Sequence, residues 1–154
     1  MAKLSDEITV HMNAPAETIW ALVSDVTRIG EYSPETFEAE WLDGATGPAV
    51  GAKFRGHVKR NQKGPTYWSP CTVTECEPNR RFTFAVGAPG KVVNTWSYRL
   101  TPAGDGTDVT ESFQLTDNLA MRTYWALLGW SRGTTNRNGM QTTLNRIKAE
   151  VESA

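Results

Sequence analysis

Apolar and polar residues alternate near the start of the chain, and the apolar residues that follow have the spacing of a helix. Residues 8–12 alternate in the period of two that predicts a β-strand. In the stretch NAPAE that follows, Pro15 fits the first position of a helix, with Asn13 or Ala14 as its cap. Residues 24–35 predict a second short helix or a turn. The apolar face of the first helix consists of Ile19, Trp20, Leu22 and Val23.

Strand-like segments separated by short turn sequences continue as far as residue 116. Gly, Pro, Asn and Asp are concentrated in the links, which is typical of tight turns. Consecutive strands with such short links predict an antiparallel meander. Pro70 predicts a bulge or an edge position, because proline donates no ladder hydrogen bond. The six predicted strands cover residues 37–42, 52–60, 66–77, 80–87, 91–101 and 107–116.

After residue 118 the pattern predicts one long helix. We expect it to begin between residues 120 and 134 and to end at Glu152. Its apolar stripe consists of Met140, Leu144, Ile147 and Val151. Traced backwards, the stripe meets Asn136 and Gly133, so this face changes from large and apolar to small and polar. Two interpretations follow: something other than packed side chains occupies that space, or the helix breaks near residues 133–139.

The order of these elements predicts an α+β fold. One strand, two short helices, six strands and a long C-terminal helix leave only the last helix to cover the apolar face of a seven-stranded antiparallel sheet. We therefore expect one domain over residues 1–154, with the sheet curved around that helix.

Charge and composition exclude several classes of function. The formal net charge of −1 and the isoelectric point near 6.1 argue against a nucleic-acid binder, because a phosphate-facing surface needs a basic excess. The basic stretch at residues 53–63 is interpreted as a solvated strand face. No apolar run approaches the about 20 residues that span a bilayer, so we expect a soluble, cytoplasmic protein without stable membrane insertion.

The sequence offers no metal site and no cofactor motif. Cys71 and Cys76 lie on one predicted strand, too far apart and too differently directed for a disulfide, and are expected to be free thiols. His11 and His57 are the only histidines, which leaves no credible zinc site. The glycine-rich and nucleophile motifs of nucleotide-binding and hydrolase folds are absent. We expect no metal and no cofactor.

Three separated segments resemble the helix-grip (SRPBCC) superfamily, which includes START lipid-transfer domains, the birch-pollen allergen type and bacterial polyketide cyclase/dehydrase-like proteins. They are NAPAETIWALVSDVTRIGEYSPE (13–35), TVTECEPNRRFTF (72–84) and WSYRLTPAGDGTDVTESF (96–113). The resemblance implies a hydrophobic cavity between the sheet and the C-terminal helix. Members of the superfamily use it to carry lipids, hormones or polyketides, or to catalyse cyclisation and hydrolysis.

One carboxylate interrupts an otherwise apolar strand face in the stretch DVTESFQL. Period-two alternation places Glu111 in the row of Val109 and Phe113. A buried carboxylate without a partner costs several kcal/mol. Glu111 therefore points into the cavity, pairs with an arginine such as Arg99 or Arg60, or is turned to solvent by a bulge.

Further residues are predicted in the cavity wall by alternation or by the resemblance. For Phe82 and Phe84 the face stays open, because a bulge at Pro70 shifts the register. In the stretch YWALLGW (124–130) the aromatic residues are either core or a lid. Asp25 is expected to cap the turn between the short helices. The predicted cavity residues are Glu111, Phe113, Val109, Trp96, Tyr98, Phe54, Tyr67, Trp68, Tyr32, Gly133, Asn136 and Met140.

The predicted function is the binding or transport of a small hydrophobic molecule such as a lipid, a fatty acid or a polyketide-like compound. An enzyme of the cyclase/dehydrase type, with Glu111 or Tyr98 as the acid-base group, is the first alternative. A binding protein is favoured over an enzyme, because acid-base catalysis needs a positioned pair of titratable groups and the sequence does not define one. The second alternative is a protein with a filled cavity that docks on a partner.

Overall fold

The computed structural model describes residues 4–60 and 64–153, without the side chains of residues 129 and 130. The order of its elements agrees with the predicted order. The strands are β1 (Ser5–Met12), β2 (Thr36–Leu42), β3 (Lys53–Val58), β4 (Tyr67–Glu77), β5 (Arg81–Val86), β6 (Asn94–Ala103) and β7 (Gly106–Leu115). The helices are α1 (Ala16–Val23), the 3₁₀ helix η1 (Val26–Glu31) and α2 (Leu119–Glu152).

The strands form one antiparallel sheet in the order β1-β7-β6-β5-β4-β3-β2. Strands β2 to β7 each pair with the next along the chain, which confirms the meander, and β1 closes on β7. Helix α2 lies across β1 and β7 and covers the apolar face. The α+β helix-grip prediction is therefore confirmed.

The two short helices follow the prediction, with one correction at their start. Helix α1 begins at Ala16, so Pro15 is the cap itself and not the first helical residue; its backbone is extended, and its side chain has no group that can cap. The Asp25 carboxylate caps η1 by accepting hydrogen bonds from the backbone N–H and the hydroxyl of Thr27. This is the role predicted for Asp25.

Helix α2 is continuous over 34 residues, so of the two interpretations of this face the break near residues 133–139 is wrong. Asn118 caps its first turn by accepting from the backbone N–H of Met121. The four residues of the predicted apolar stripe are all buried in the C-terminal half. Their burial against the sheet stabilises the helix through packing, which offsets the cost of glycines in its middle.

Pro70 occupies neither a bulge nor an edge strand. Strand β4 is interior, and the register shift lies between Val73 and Glu75. Pro70 is tolerated because β5 has already ended beside it; there the backbone N–H of Gly87 donates to the Pro70 carbonyl.

The structure also decides the face of the two phenylalanines in β5. Phe84 packs against Phe54 with ring centroids 5.2 Å apart, and Phe82 meets the ring of Trp20 edge-on at 6.0 Å. Both side chains are buried on the inner face. Phe84 is part of the cavity wall, whereas Phe82 is covered by α1.

Replacing Gly30 by alanine is expected to lower the free energy of unfolding by roughly 1–3 kcal/mol. A β-carbon at this position of η1 would lie 2.2 Å from the backbone oxygen of Phe37 in β2, so the helix or the strand must move. Gly47→Ala is the matched control, because its β-carbon would meet nothing within 4 Å. Urea unfolding measures both variants. Equal stability of the two would contradict close packing of η1 on β2.

Candidate functional site

A cavity of about 470 Å³ lies between the inner face of the sheet and α2. Its volume falls within the roughly 300–1,000 Å³ of typical small-molecule sites. The sheet supplies aromatic and aliphatic walls, and residues 121–143 of α2 supply the opposite side. Residues from η1 to the start of β2 (29–36) complete the lining.

Many of the predicted cavity residues do line this space. Strand β6 contributes Trp96 and Tyr98 from alternate positions, and Glu111 faces the same space from β7. The other predicted residues in the lining are Phe54, Tyr67, Asn136 and Met140.

A second group of predicted residues packs behind the wall instead of lining it. Phe113 is buried between the rings of Trp96 and Trp125, with centroids 5.3 and 6.3 Å away. Tyr32 is buried edge-on against Tyr98 at 6.5 Å. Val109 is fully buried, and Gly133 faces the Trp125 ring, where its missing β-carbon would lie 3.4 Å away. These residues support the wall without touching the space.

Trp68 was predicted in the cavity wall and lies on the outer face of the sheet. Tyr67, Ser69 and Cys71 face the cavity from β4, so the alternation of the strand turns Trp68 outwards. There its ring stacks on His57 at 4.2 Å, and the Arg55 guanidinium lies 4.1 Å from its centroid. Adjacent residues of a strand face opposite sides of the sheet, so Tyr67 and Trp68 could not both line the cavity as predicted.

Glu111 faces the cavity, one of the three orientations considered for it. The register of β7 places it between Ile8 of β1 and Tyr98 of β6, in the interior of the sheet. Only 5% of its surface is exposed. Among the described ion pairs, none joins Glu111 to Arg99 or Arg60. Arg99 pairs on the outer face with Glu7 at 3.6 Å, and Arg60 is an exposed residue of the cavity lining.

Burial raises the pKa of Glu111 from its ordinary value of 4.5 to about 8, although a hydrogen bond with Tyr98 acts in the opposite direction. Burial likewise raises the pKa of Tyr98 and of Tyr32, and the nearby Glu111 carboxylate raises both further. The two phenols therefore stay neutral at physiological pH. Glu111 is then mostly protonated and can both donate and accept a hydrogen bond.

The cavity also holds polar atoms that have no hydrogen-bond partner among the described residues. These are Oε1 of Glu111, Oδ1 of Asn94 and Nε1 of Trp125, and all three side chains line the same space. Buried polar atoms without partners are rare in proteins. Their concentration in one cavity indicates a site that is completed by a bound molecule or by water.

Asn94 and Trp125 were missed as cavity residues. For Asn94 the signal was present, because it has the same parity on β6 as Trp96 and Tyr98. For Trp125 it was not, since the aromatic stretch at 124–130 fits both core and lid. The structure places the Trp125 ring in the lining with 3% exposure, whereas Leu127 and Leu128 are exposed. The Trp130 side chain lies outside the described residues.

An ion pair joins the segment before β2 to α2 at the cavity wall. The Arg132 guanidinium donates to both carboxylate oxygens of Glu35 at 2.8 and 3.2 Å. Both side chains are largely buried and line the cavity. The pair therefore fixes the position of α2 relative to the chain segment that enters the sheet.

Arg132→Gln is expected to lower the free energy of unfolding by about 1–2 kcal/mol, between the values typical of exposed and buried pairs. Arg137→Gln is the matched control on the same helix, because Arg137 pairs with Asp6 at 2.9 Å in a more exposed position; a loss below about 1 kcal/mol is expected there. Chemical denaturation compares the two. Equal losses would argue against a structural role of the Arg132 pair.

Other chemistry is limited within the described residues. No group of three or more His, Cys, Asp or Glu side chains is placed to hold a metal ion among them. Cys71 and Cys76 are free thiols, as predicted; burial raises the pKa of Cys71 to about 12, so it is a poor nucleophile. In the part of the chain that the structure describes, no helix is long and apolar enough to cross a membrane.

Comparison with known proteins gives consistent results. Residues 1–152 match the family described as polyketide cyclase / dehydrase and lipid transport. A Polyketide_cyc-like protein from Corynebacterium glutamicum is 31% identical, with a TM-score of 0.66 over 97% of this chain and 91% of its own. A protein of unknown function from Staphylococcus aureus, 10% identical, has a TM-score of 0.71 over 97% of this chain and 93% of its own; this likeness concerns the fold alone. No curated protein matches.

Proposed function

The chain belongs to the polyketide cyclase/dehydrase and lipid transport family, and on that premise we propose that it binds a small, mainly apolar molecule in its cavity. Glu111 is the polar anchor of this ligand. The proposal rests above all on the Oε1 atom of Glu111, which is buried in the cavity lining without a partner among the described residues.

The walls of the cavity support an apolar ligand. Phe54, Phe84 and Trp96 line it from three different strands, and Met140 lines it from α2. Aromatic side chains supply large apolar contact areas at a small loss of conformational freedom. A few polar groups in such a lining fix the orientation of a ligand and give specificity.

A filled-cavity variant tests the proposal. Native mass spectrometry of freshly purified protein, followed by organic extraction, is expected to detect a small molecule bound one to one. The neutral apolar dye N-phenylnaphthylamine should bind the emptied wild-type protein. In Ser69→Trp an indole would occupy the cavity, so both signals should be lost. Thr72→Trp is the matched control on the same strand, because alternation turns residue 72 outwards. Absence of any adduct and of dye binding in the wild type would overturn the proposal.

An enzymatic role is the second candidate, and the contact of Glu111 with Tyr98 favours it. A carboxyl group with a pKa near neutrality and a hydrogen-bonded phenol beside it form a pair that can transfer protons. Within residues 4–60 and 64–153, no hydrogen bond from a third side chain orients either group, so binding remains the first proposal.

Glu111→Gln separates the two candidates. A binder should lose at most about tenfold in affinity, the contribution of a hydrogen bond between neutral groups. A general acid or base should lose turnover while affinity is largely kept. The extracted ligand is incubated with the wild type and with the variant, and its conversion is followed by mass spectrometry. Conversion by the wild type alone would establish the enzyme.

A further inference from the structure

Two of the unpartnered polar atoms lie at opposite ends of the part of the cavity wall that β6 and β7 form. Glu111 of β7 lies opposite Tyr98 of β6, and Asn94 of β6 lies opposite Leu115 of β7. The two pairs are separated by four residues on each strand. At roughly 3.3–3.4 Å per strand residue, this places them about 13 Å apart along the sheet.

The wall between these two ends is apolar. Trp96 faces the cavity halfway along β6 and packs on Phe113, its partner in β7. The ring of Trp125 packs on the other side of Phe113. Trp125 lines the cavity and its indole N–H has no partner among the described residues, so it can donate to a ligand or to water.

We propose that the ligand is an elongated molecule with an apolar, ring-containing body and a polar group at each end, one meeting Glu111 and Tyr98 and the other meeting Asn94. The inference rests on the proposed function and specifies its ligand class. A ligand with one polar end would leave either Glu111 or Asn94 unsatisfied, which costs binding free energy.

The chemistry of the two ends differs. The inner group meets a carboxyl and a phenol that belong to the sheet interior and have no cationic neighbour among the described ion pairs. A neutral hydroxyl suits this position, because it donates to Oε1 and accepts from the Glu111 proton. The outer group meets the unpartnered Oδ1 of Asn94, which is an acceptor, so a donor such as a hydroxyl suits this position as well.

Rigid stilbenes test the two-ended ligand. The probes are trans-stilbene, its para-hydroxy derivative and the derivative with a para-hydroxyl on each ring, titrated into ligand-free wild-type protein by calorimetry. The first hydroxyl and the second are each expected to raise affinity, the second by about fivefold to tenfold. In dihydroxybiphenyl the two oxygens are closer together, so its second hydroxyl should give no comparable gain.

A variant at the outer end assigns the effect to Asn94. Asn94→Val should abolish the gain from the second hydroxyl, so that the mono- and dihydroxystilbenes bind the variant with equal affinity. Thr95→Val is the matched control on the outward-facing neighbour and should keep the gain.

The possible failures are distinguishable. Equal affinity of the mono- and dihydroxystilbenes for the wild type, or a gain that survives Asn94→Val, overturns the two-ended ligand while binding in the cavity stands. Failure of every stilbene to bind also overturns it, and the native mass spectrum then decides the proposed function separately.

Discussion

The free energy of unfolding of the ligand-free protein is expected to fall by roughly 4 kcal/mol through Glu111 as the pH rises from about 4.5 to about 8. Below this window the carboxyl group is protonated in the folded and the unfolded chain alike. Within it, the folded protein keeps the proton and the unfolded chain releases it, so rising pH favours unfolding. Above the window both forms are ionised, and the loss is complete.

Glu111→Gln should remove this dependence, because the amide does not titrate. The difference in unfolding free energy between the variant and the wild type should grow in favour of the variant across the window and then level off. Urea unfolding over a series of pH values measures it. Parallel curves for Glu111→Gln and the wild type would contradict burial of the carboxyl group.

Leu144→Ala is expected to lower the free energy of unfolding by about 3–5 kcal/mol. Leu144 is fully buried where α2 packs on the sheet, beyond the cavity. Its truncation removes apolar contacts and leaves a new void that the surroundings fill only in part. Denaturant unfolding at constant pH measures the loss.

Met140→Ala is the matched comparison one turn earlier on the same face of α2. Met140 already borders the cavity, so its truncation enlarges an existing space, and a loss of about 2 kcal/mol is expected. The enlarged cavity should also accept bulkier apolar probes than the wild type does. Equal losses for the two variants would indicate that the space beside Met140 is filled by side chains.

Much of this fold could be predicted because two periodicities carry the information. Period-two alternation placed Glu111 on the inner face of β7, and helical spacing identified the buried stripe that ends at Val151. Neither periodicity shows whether a helix continues without a break. In the sequence, the glycines of α2 suggest that the helix breaks. In the structure, packing and the Glu35–Arg132 pair stabilise this part of the helix.

The candidate site was less predictable than the fold. Two large aromatic residues side by side, Tyr67 and Trp68, carry no sequence signal for which of them faces inwards. The register of β4 decides which of the two faces inwards, and this register depends on the pairing of β4 with β3. Nor does sequence report whether a buried polar atom finds a partner. The missing partners of Asn94 and Trp125 became visible only when all the surrounding strands and α2 were in place.

The pairing of β1 with β7 has a consequence for synthesis of the chain. Ile8 is paired with Glu111, so once β1 has been made, about a hundred further residues must follow before its partner exists. At roughly 5–20 residues per second this takes several seconds. During that time the meander can assemble strand by strand, but β1 has no ladder to join. Synthesis of β7 therefore completes the sheet, and the interior closes only when the 34 residues of α2 that follow have covered its apolar face.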